Sequence, residues 1–159
     1  MTGRPRLSAI LITRDEAADL PDCLASLGFC DEIVVVDSGS TDATVAIARA
    51  AGARVVVTDD WPGFGPQKQR ALDLAGGDFV LSIDADERIP ADLAEEIRAA
   101  IGRADRAGWR INRRSSFLGR FLLHGGWYPD RILRLAKREA ARFTPDRVHE
   151  RLVVDGAVG

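Results

Sequence analysis

The chain has 159 residues, of which 46% are hydrophobic and 29% are charged, and its formal net charge is −2. This length fits one folded domain with a substantial core, and the composition excludes a disordered or fibrous chain. No apolar run approaches the roughly 20 residues of a membrane-spanning helix, and the apolar run near the amino end is too short for a secretory signal. We therefore expect a cytoplasmic protein.

The two parts of the chain carry opposite charge. Residues 1–102 contain nine Lys/Arg and eighteen Asp/Glu, a net charge of −9, whereas residues 103–159 contain thirteen and six, a net charge of +7. The acidic part suits a metal site, and the basic part suits an anionic partner such as a phosphorylated acceptor or a membrane surface. A solvated arginine-rich surface explains the basic part equally well. We expect no nucleic-acid partner.

Four strand–helix units alternate along the first two thirds of the chain. Apolar, β-branched runs predict strands, and apolar residues at helical spacing predict helices. The predicted strands are 7–13, 32–37, 54–58 and 79–83. The predicted helices are 17–27, 42–51, 67–75 and 91–101, and a Pro- and Gly-rich loop is predicted at 59–66. This alternation predicts an α/β fold of three layers around a mostly parallel sheet with right-handed crossovers.

The pattern changes after Gly102. Short strands are predicted at 109–111, 131–135 and 151–154, with a Gly-rich turn at 124–130. We therefore divide the chain into an α/β part, 1–102, and a smaller β subregion, 103–159, of the same domain. Because Val158-Gly159 is not a natural end of a helix or strand, we expect the chain to be a truncated piece.

Polar side chains follow three of the predicted strands at the points where these strands end. In an open parallel sheet, ligands bind beyond the carboxyl ends of the strands. Several carboxylates at one edge repel one another, and a divalent cation removes that repulsion. The candidate site residues are Thr13 and Glu16 after the first strand, Asp37 and Ser38 after the second, and Asp84 and Asp86 after the fourth.

Asp84-Ala85-Asp86 places two carboxylates around one small residue, directly after the strand 79–83. Carboxylate oxygens suit Mg²⁺ or Mn²⁺, which keeps water and takes diphosphate oxygens as further ligands. Such a cation neutralises the charge that develops on a leaving nucleoside diphosphate. The alternative is that the two aspartates serve turn formation and helix capping alone.

Two further features favour a nucleotide-like ligand. Asp37 ends a fully apolar strand, where a carboxylate needs a partner, and a uracil N3–H or a ribose hydroxyl would supply one. Lys68 and Arg70 lie in the first turn of a predicted helix, where cations oppose the helix dipole. This position is tolerable if they face a diphosphate or the carboxylates of Asp84 and Asp86. The alternative is that both cations are solvated.

Two sets of short motifs carry a family resemblance. Residues 13–16, 37–42 and 84–88 resemble, in order and spacing, the motifs of family-2 glycosyltransferases of the GT-A fold. Residues 63–70, 124–130 and 148–150 are similar to motifs of a narrower subgroup, the lipopolysaccharide-core β-1,4-glucosyltransferases. Asp15 and Gln69 depart from the family pattern, which usually has Asn at both positions.

This resemblance implies a UDP-sugar donor and a Mg²⁺ or Mn²⁺ cofactor. The residues that it assigns to nucleotide-sugar binding are Thr13, Glu16, Asp37, Ser38 and Asp84. Lys68 joins this set because of its position in the first turn of the predicted helix. It assigns metal binding to Asp86, as the principal ligand, and to Asp84.

The resemblance also implies an inverting displacement, in which a carboxylate deprotonates the acceptor hydroxyl that attacks the anomeric carbon. Glu150 is the candidate base, and Asp130 is the reserve candidate. The alternative for Glu150 is a salt bridge to an arginine. The narrower resemblance implies transfer of glucose to a lipopolysaccharide-core or other cell-envelope glycan. The basic part of the chain adds the expectation of peripheral contact at the inner face of the cytoplasmic membrane.

Two other functions fit parts of the sequence. Haloacid-dehalogenase-type phosphatases also place an Asp-x-Asp motif after a strand, with the first Asp as nucleophile and the second as general acid. Here Glu87-Arg88 follow the motif, and the motif comes after the fourth strand rather than the first. The second alternative is a truncated, non-catalytic module that binds a sugar nucleotide or a membrane surface. The apolar segment 117–123, with arginines nearby, fits an anionic interface.

Overall fold

The computed structural model describes residues 4–113, 115–117, 120–122 and 130–159. For residues 112–113, 115–117, 120–122 and 130–131 it describes the backbone alone. The strands in this part of the chain are β1 (Leu7–Thr13), β2 (Glu32–Asp37), β3 (Arg54–Val57), β4 (Phe79–Ser82), β5 (Gly108–Arg113), β6 (Ser115–Phe117), β7 (Arg120–Leu122), β8 (Asp130–Lys137), β9 (Ala141–Phe143) and β10 (Leu152–Val154). The helices are α1 (Leu20–Ala25), α2 (Thr44–Ala50), α3 (Phe64–Leu74) and α4 (Ala91–Arg103). Of the helices described, none has the length and apolarity needed to cross a membrane.

Six of these strands form a central sheet in the order β3-β2-β1-β4-β8-β5. β1 pairs in parallel with β2 on one side and with β4 on the other, and β3 extends the sheet in parallel beyond β2. β8 runs antiparallel between β4 and β5. The predicted α/β fold with a mostly parallel sheet is therefore confirmed.

The two faces of the sheet are covered by different helices. Alternate residues of a strand point to opposite faces. Ala9 and Leu11 of β1 pack in one core with side chains of α1, α2 and α4, whereas Ile10 packs in a second core with side chains of α3. Val35 and Val34 of β2 divide in the same way. The strands are continuous apolar runs because both of their faces are buried.

The C-terminal part of the chain contributes to the sheet and to the layer that contains α3. β5 and β8 complete the central sheet, and β9 pairs antiparallel with β10. Phe143 of β9 and Leu152 of β10 are buried in the same core as Ala71 and Leu72 of α3. Side chains from both sides of the predicted boundary at residue 103 thus share one core.

Helix α3 begins at Phe64, earlier than the predicted start at residue 67. Pro66 lies in the first turn, where the backbone N–H groups have no intrahelical partner, and it therefore does not interrupt the helix. The loop predicted at 59–66 is wrong for its last three residues. α1 and α2 are shorter than predicted, and the short strands β6, β7 and β9 are not evident from the sequence pattern.

The sheet contains a switch point between β1 and β4. The chain proceeds from β1 to β2 and β3 on one side of the sheet and places β4 on the other side of β1. Loops that follow strands on the two sides of such a point diverge and leave a crevice beyond the carboxyl ends of the strands. The loops after β1, β2 and β4 carry most of the predicted site residues to this crevice.

Candidate active site

Asp37, at the end of β2, is fully buried and accepts four hydrogen bonds. Its Oδ1 accepts from the hydroxyls of Thr13 (2.7 Å) and Ser40 (2.6 Å), and its Oδ2 accepts from the backbone N–H groups of Gly39 (2.9 Å) and Ser40 (2.7 Å). Burial raises the pKa of Asp37, but these hydrogen bonds, led by those from Ser40, outweigh it and lower the pKa below its ordinary value. The partner that a buried carboxylate requires is thus supplied by the protein itself, and the assignment of Asp37 to nucleotide binding stays a prediction.

Asp15 joins the loop after β1 to the loop after β2. Its φ of 53° lies in the left-handed region that Asn and Asp tolerate. Its Oδ1 accepts from the backbone N–H (2.7 Å) and the hydroxyl (3.3 Å) of Thr41, and its own N–H donates to Ser40 Oγ (2.7 Å). This role is not evident from the motif alone. The signal for it is that the family pattern usually has Asn here, because Asn adopts the same backbone conformation.

Glu16 is half-buried beyond β1 and lies in the field of the aspartates that follow β4. Burial raises the pKa of its carboxyl, and the negative charges of Asp86, Asp19 and Asp84 raise the pKa further. The backbone N–H of Glu16 donates to Thr44 Oγ1 (2.8 Å), which fixes the loop against α2. Carboxylates from the loops after β1 and β4 are thus close enough to repel one another, as expected for this edge of the sheet.

The turn Asp84-Ala85-Asp86 is held by Glu87 and Arg134. The Asp84 N–H donates to Glu87 Oε1 (2.8 Å), and the Glu87 N–H donates to the Asp84 carbonyl (2.9 Å). Arg134 of β8 donates to both Glu87 carboxylate oxygens, at 2.7 and 2.8 Å. Neither aspartate caps α4, whose N-cap residue is a proline after the turn. Arg134 is absent from the sequence-based candidates because it lies 47 residues beyond Glu87 in the chain.

Lys68 of α3 lies between two carboxylates. Its Nζ is 2.8 Å from Glu150 Oε2 and 3.7 Å from Asp84 Oδ1. The side chains of Lys68 and Glu150 are only 17% and 16% exposed, so solvent screens their interaction weakly. The structure thus brings together three residues that the sequence predicts separately. The alternative of an arginine partner for Glu150 is wrong, because the partner is Lys68.

The candidate base reaches α3 because the loop 144–151 docks on the first turn of that helix. The backbone N–H groups of Phe64 and Gly65 donate to the carbonyls of Arg147 and Asp146, both at 2.9 Å. Helix N-termini leave such N–H groups without intrahelical partners. These two hydrogen bonds therefore satisfy the helix terminus and fix the loop at the same time.

Hydrogen bonds also join the two ends of the loop 144–151. The Thr144 N–H donates to the Arg151 carbonyl (2.8 Å), and the Arg151 N–H donates to Thr144 Oγ1 (2.9 Å). A Cβ on Gly65 would lie 2.1 Å from the Thr144 carbonyl oxygen, so the close approach of loop and helix requires glycine at this position. The motifs 63–70 and 148–150, which are far apart in the sequence, form one structural unit.

Arg70 faces a different anion from the one predicted. It donates to both carboxylate oxygens of Asp60, each at 2.8 Å, and to Gln67 Oε1 at 2.9 Å. Gln67 is fully buried and donates through Nε2 to Thr58 Oγ1 (3.0 Å). Arg70 therefore ties α3 to the loop after β3, whereas Lys68 is the cation that α3 directs to the crevice.

Asp86 and Ser38 have no strong side-chain hydrogen bond or ion pair among the described residues. Asp86 is exposed, and within the described residues it has no hydrogen bond or ion pair. Ser38 is half-buried, and its hydroxyl donates weakly to the Thr13 carbonyl at 3.4 Å. Both side chains are free to contact a ligand without breaking a strong internal interaction.

The carboxylates of the crevice suit a cation that keeps much of its own water. Across the described ranges, no three His, Cys, Asp or Glu side chains form a ready-made metal site. Mg²⁺ and Mn²⁺ need only one or two carboxylates when water and phosphate oxygens complete the coordination. Asp84 already faces Lys68 and Arg134, at 3.7 and 3.8 Å. Asp86, which lacks such compensation, is the better-suited ligand, and the donor set fits the expected ion.

Asp130, the reserve candidate for the base, begins β8 and pairs with Arg113 in the sheet register. Its side chain and the whole of residues 124–129 lie outside the described residues. Its role as a base therefore stays a prediction.

The geometry is that of a crevice at the carboxyl ends of parallel strands, with Lys68 between Glu150 and Asp84 at its edge. Sequence comparison supplies the family. The profile of Glycosyl transferase family 2 matches residues 8–151. The chain belongs to this family. The matched range includes the loops after β1, β2 and β4 as well as Lys68 and Glu150, and the family resemblance inferred from the motifs is confirmed. The roles of the individual site residues stay predictions.

Family-2 relatives extend beyond the length of this chain. The lipopolysaccharide core biosynthesis glycosyltransferase LpsC of Rhizobium meliloti (strain 1021) is 37% identical over 164 residues, which cover 96% of this chain and 59% of LpsC. Two solved structures are similar. S. aureus TarS 1–349 in complex with UDP-GlcNAc has a TM-score of 0.62 and 28% identity, covering 72% of this chain and 36% of TarS. M. tuberculosis glucosyl-3-phosphoglycerate synthase has a TM-score of 0.61 and 28% identity, covering 86% and 58%.

The mostly parallel sheet with flanking helices, together with these similar structures, identifies the fold as GT-A. The chain spans between about a third and three fifths of the length of these relatives.

Proposed function

We propose that this chain is the sugar-nucleotide-binding part of an inverting glycosyltransferase. The enzyme transfers a hexose, glucose in the first instance, from a UDP-sugar to a lipopolysaccharide-core or other cell-envelope glycan. Membership of family 2 and the similarity to LpsC support the reaction class and the acceptor class. Residues 1–102 would bind the donor, and residues 103–159 would form the acceptor side.

The observation that carries the proposal is the position of Lys68 between Glu150 and Asp84. Its ammonium group lies 2.8 Å from the candidate base and 3.7 Å from the first aspartate of the metal motif. A transferase of this kind needs a base for the acceptor hydroxyl beside a site for the leaving diphosphate. Glu150 and Asp84 supply these two functions within reach of one cation.

The donor would lie along the ends of β1, β2 and β4. Ser38 and Glu16 offer a hydroxyl and a carboxylate to the nucleoside, and Asp84 offers a carboxylate to the ribose or to the cation. Asp37 and Thr13 act on the nucleoside pocket through the loop that they hold in place. Positioning by such a fixed loop limits the entropy that is lost when the donor binds.

Asp86, with Asp84 as a second ligand, would hold the Mg²⁺ or Mn²⁺ ion. When bound, the ion supplies charge compensation for the departing diphosphate. Lys68 adds a second positive charge on the same side, from a helix position that the Glu150 interaction keeps fixed.

Glu150 would take the proton of the acceptor hydroxyl as its oxygen attacks the anomeric carbon. The new glycosidic C–O bond forms on the face opposite the departing oxygen, the old anomeric C–O bond breaks, and UDP leaves with the bonding electron pair. The sugar therefore inverts its anomeric configuration. The loop 144–151 sets the distance between the base and the donor, because its hydrogen bonds to Phe64 and Gly65 attach it to α3.

The basic part of the chain suggests where the reaction takes place. Residues 103–159 carry a net charge of +7, which favours contact with anionic lipid head groups. We place the enzyme in the cytoplasm, in peripheral contact with the inner face of the cytoplasmic membrane, where a lipid-linked acceptor would be within reach.

The test is a donor panel. Binding and hydrolysis of UDP-glucose, UDP-galactose and UDP-GlcNAc are measured with Mn²⁺ and with EDTA, for the wild-type chain, for Asp86→Ala and for the matched control Asp105→Ala, which removes an exposed carboxylate in the segment after α4. We expect metal-dependent binding that Asp86→Ala weakens at least tenfold and Asp105→Ala leaves unchanged. No binding of any nucleotide sugar in Mn²⁺, or equal binding by both variants, contradicts the proposal.

A further inference from the structure

Two aromatic side chains, Trp61 and Phe64, are held together at the surface beside the candidate active site. Each is 41% exposed, and their ring centroids are 5.0 Å apart with the ring planes at 90°. Large aromatic side chains are mostly covered in folded proteins, and contiguous exposed apolar surface marks binding sites. We call these two residues the aromatic pair.

The backbone around the aromatic pair is fixed by the loop 144–151. The Phe64 N–H donates to the Arg147 carbonyl (2.9 Å), and Arg147 NH1 donates to the Pro62 carbonyl (3.1 Å). Gly63 has a φ of 112°, and a Cβ at this position would lie 2.7 Å from the Arg147 Cα. The aromatic pair is therefore presented on a rigid support, which lowers the entropic cost of binding a ligand.

Phe64 connects the aromatic pair to the base, although the loop that carries Trp61 begins beside Asp37, whose carbonyl accepts from the Thr58 N–H at 2.7 Å. Phe64 and Lys68 are separated by one turn of α3, so their Cβ atoms lie roughly 6 Å apart on one helix face. Lys68 pairs with Glu150, and the loop that carries Glu150 is the one that hydrogen-bonds to Phe64. A ligand on the aromatic pair would therefore lie beside Glu150.

The charges near the aromatic pair favour a neutral polyol over an anionic lipid. The carboxylates of Asp59, Asp60 and Asp146 are exposed on the same two loops. Asp60 is paired with Arg70 at 2.8 Å, and Arg147 and Arg151 of the loop 144–151 offset the charges of Asp59 and Asp146, so no excess of positive charge results. An anionic membrane requires a basic surface. A sugar ring, by contrast, offers an apolar face to aromatic rings and hydroxyl groups to nearby carboxylates.

We propose that Trp61 and Phe64 form the platform on which the acceptor sugar stacks, with the reacting hydroxyl directed to Glu150. This inference rests on the proposed function and specifies its acceptor side. Rigid aromatic rings give a large contact area at a low cost in side-chain entropy. Such a platform also orients the sugar ring, which a patch of aliphatic side chains does not do.

The test measures acceptor and donor binding separately. Deacylated lipopolysaccharide core oligosaccharide serves as the acceptor probe, and UDP affinity is measured by calorimetry in the same buffer with Mn²⁺. We expect Trp61→Ala and Phe64→Ala each to raise the acceptor KM about tenfold, the change that corresponds to ~1.4 kcal/mol, while the UDP Kd stays within about twofold. Trp61→Phe should retain the acceptor KM within about threefold, whereas Trp61→Leu should behave like Trp61→Ala.

Val57→Ala is the matched control. Val57 is 49% exposed at the end of β3, outside the loop 144–151, and has no ring to stack, so its variant should leave the acceptor KM within about twofold. An equal rise in KM for Val57→Ala and Trp61→Ala would indicate a general apolar surface and overturn the platform. A parallel loss of UDP affinity in Trp61→Ala would indicate a nucleobase contact and overturn it as well. Should Phe64→Ala fail to fold, the Trp61 series decides the question.

The experiments distinguish a wrong proposed function from a wrong platform. A wild-type chain that transfers no sugar removes the transferase proposal, but oligosaccharide binding in the presence of UDP is still measurable through calorimetry. Binding that Trp61→Ala weakens supports the platform even then. Absence of oligosaccharide binding by the wild-type chain overturns it.

Discussion

Lys68 Nζ lies 2.8 Å from Glu150 Oε2, although the two residues are 82 positions apart in the chain. The contact joins the first turns of α3 to the loop 144–151, and the same ammonium group is 3.7 Å from Asp84. A single cation thus connects the proposed base with the proposed diphosphate site. A diphosphate bound near Asp84 would give Lys68 a further anionic partner. Departure of the diphosphate and proton transfer to Glu150 would then be linked through this residue.

Exchange of Glu150 for Gln should separate catalysis from donor binding. The amide keeps the size and the hydrogen-bonding oxygen of the carboxylate, but it cannot take a proton. We expect kcat to fall by about 10²–10⁴-fold, the usual contribution of a general base, with the UDP Kd within about twofold. Steady-state kinetics and calorimetry on the same preparation check this. A kcat within tenfold of wild type would remove Glu150 from the base role and leave Asp130 as the candidate.

Exchange of Lys68 for Ala should weaken donor binding and also slow the proton transfer from the acceptor. Removal of the cation leaves Glu150 and Asp84 partly buried without their shared counter-ion. We therefore expect a weaker UDP affinity together with a lower kcat, whereas Lys68→Arg should retain most of the affinity. A double-mutant cycle with Glu150→Gln should give a coupling energy of about 0.5–3 kcal/mol. Additive effects would mean that the ion pair has no part in the linkage.

Much of this site can be predicted from the sequence, because parallel strands deliver their carboxyl ends to one edge. The positions of Thr13, Glu16 and Asp84 beyond their strands follow from the apolar runs that precede them. The partner of Glu150 does not follow, since no local pattern tells which of the cations α3 directs to the crevice. Arg70 looks equivalent to Lys68 in the sequence, yet it is paired with Asp60.

The other features that the sequence does not predict also depend on contacts or backbone geometry that local patterns do not contain. Asp37 looks unpartnered in the sequence because its partners, Thr13 and the residues of its own loop, require the folded backbone. The predicted start of α3 after Pro66 treats proline as a helix breaker. A proline in the first turn loses no hydrogen bond, so the helix begins earlier, at Phe64. Strand β9 is too short for a periodic signal and is defined by its pairing with β10. Local patterns thus identify the strand ends, whereas contacts between distant segments complete the site.

The hydrogen bonds of Asp37 predict that Asp37→Ala destabilises the fold more than Asp37→Asn does. Asp37→Ala leaves two half-buried N–H groups and two hydroxyls without their acceptor, and we expect the free energy of unfolding to fall by about 2–3 kcal/mol. Asp37→Asn should cost only about 1 kcal/mol, because its oxygen still accepts from the two N–H groups while the Thr13 and Ser40 hydroxyls rotate to accept from its amide. Urea unfolding at pH 7 compares the two variants with wild type. Equal losses for Ala and Asn would show that the charge of Asp37, rather than its geometry, is decisive.

The same carboxylate predicts how this stability difference depends on pH. Hydrogen bonding lowers the pKa of Asp37 in the folded chain below the unfolded value of about 3.9. The charged form therefore stabilises the fold fully above that unfolded pKa, and this stabilisation is lost as the pH falls through the lower folded pKa. The gap in unfolding free energy between wild type and Asp37→Asn should be constant from pH 5 to 8 and narrow below about pH 4. A gap that narrows between pH 6 and 8 instead would assign the effect to another group.

Arg134 should support the metal motif without contacting the donor. It donates to both oxygens of Glu87, and Glu87 in turn accepts from the Asp84 N–H. Arg134→Lys keeps the charge but not the two-pronged geometry, so we expect a weaker Mn²⁺-dependent UDP affinity, by about three- to tenfold. Metal titrations of UDP binding measure this change. UDP affinity measured in EDTA should move less, and an equal loss in both conditions would point to a direct nucleotide contact.

Two glycines provide a matched test of how the loop 144–151 positions the base. A Cβ at Gly65 would lie 2.1 Å from the Thr144 carbonyl, whereas a Cβ at Gly102, inside α4, meets nothing within 4 Å. Gly65→Ala should therefore separate the loop from α3 and displace Glu150 from Lys68, with a kcat loss of at least tenfold and a lower free energy of unfolding. Gly102→Ala should raise the free energy of unfolding by about 0.5–1 kcal/mol and leave kcat unchanged, because alanine is the better helix former. Thermal unfolding and kinetics of the two variants decide the matter: if Gly65→Ala keeps wild-type kcat, Glu150 does not depend on this contact for its position.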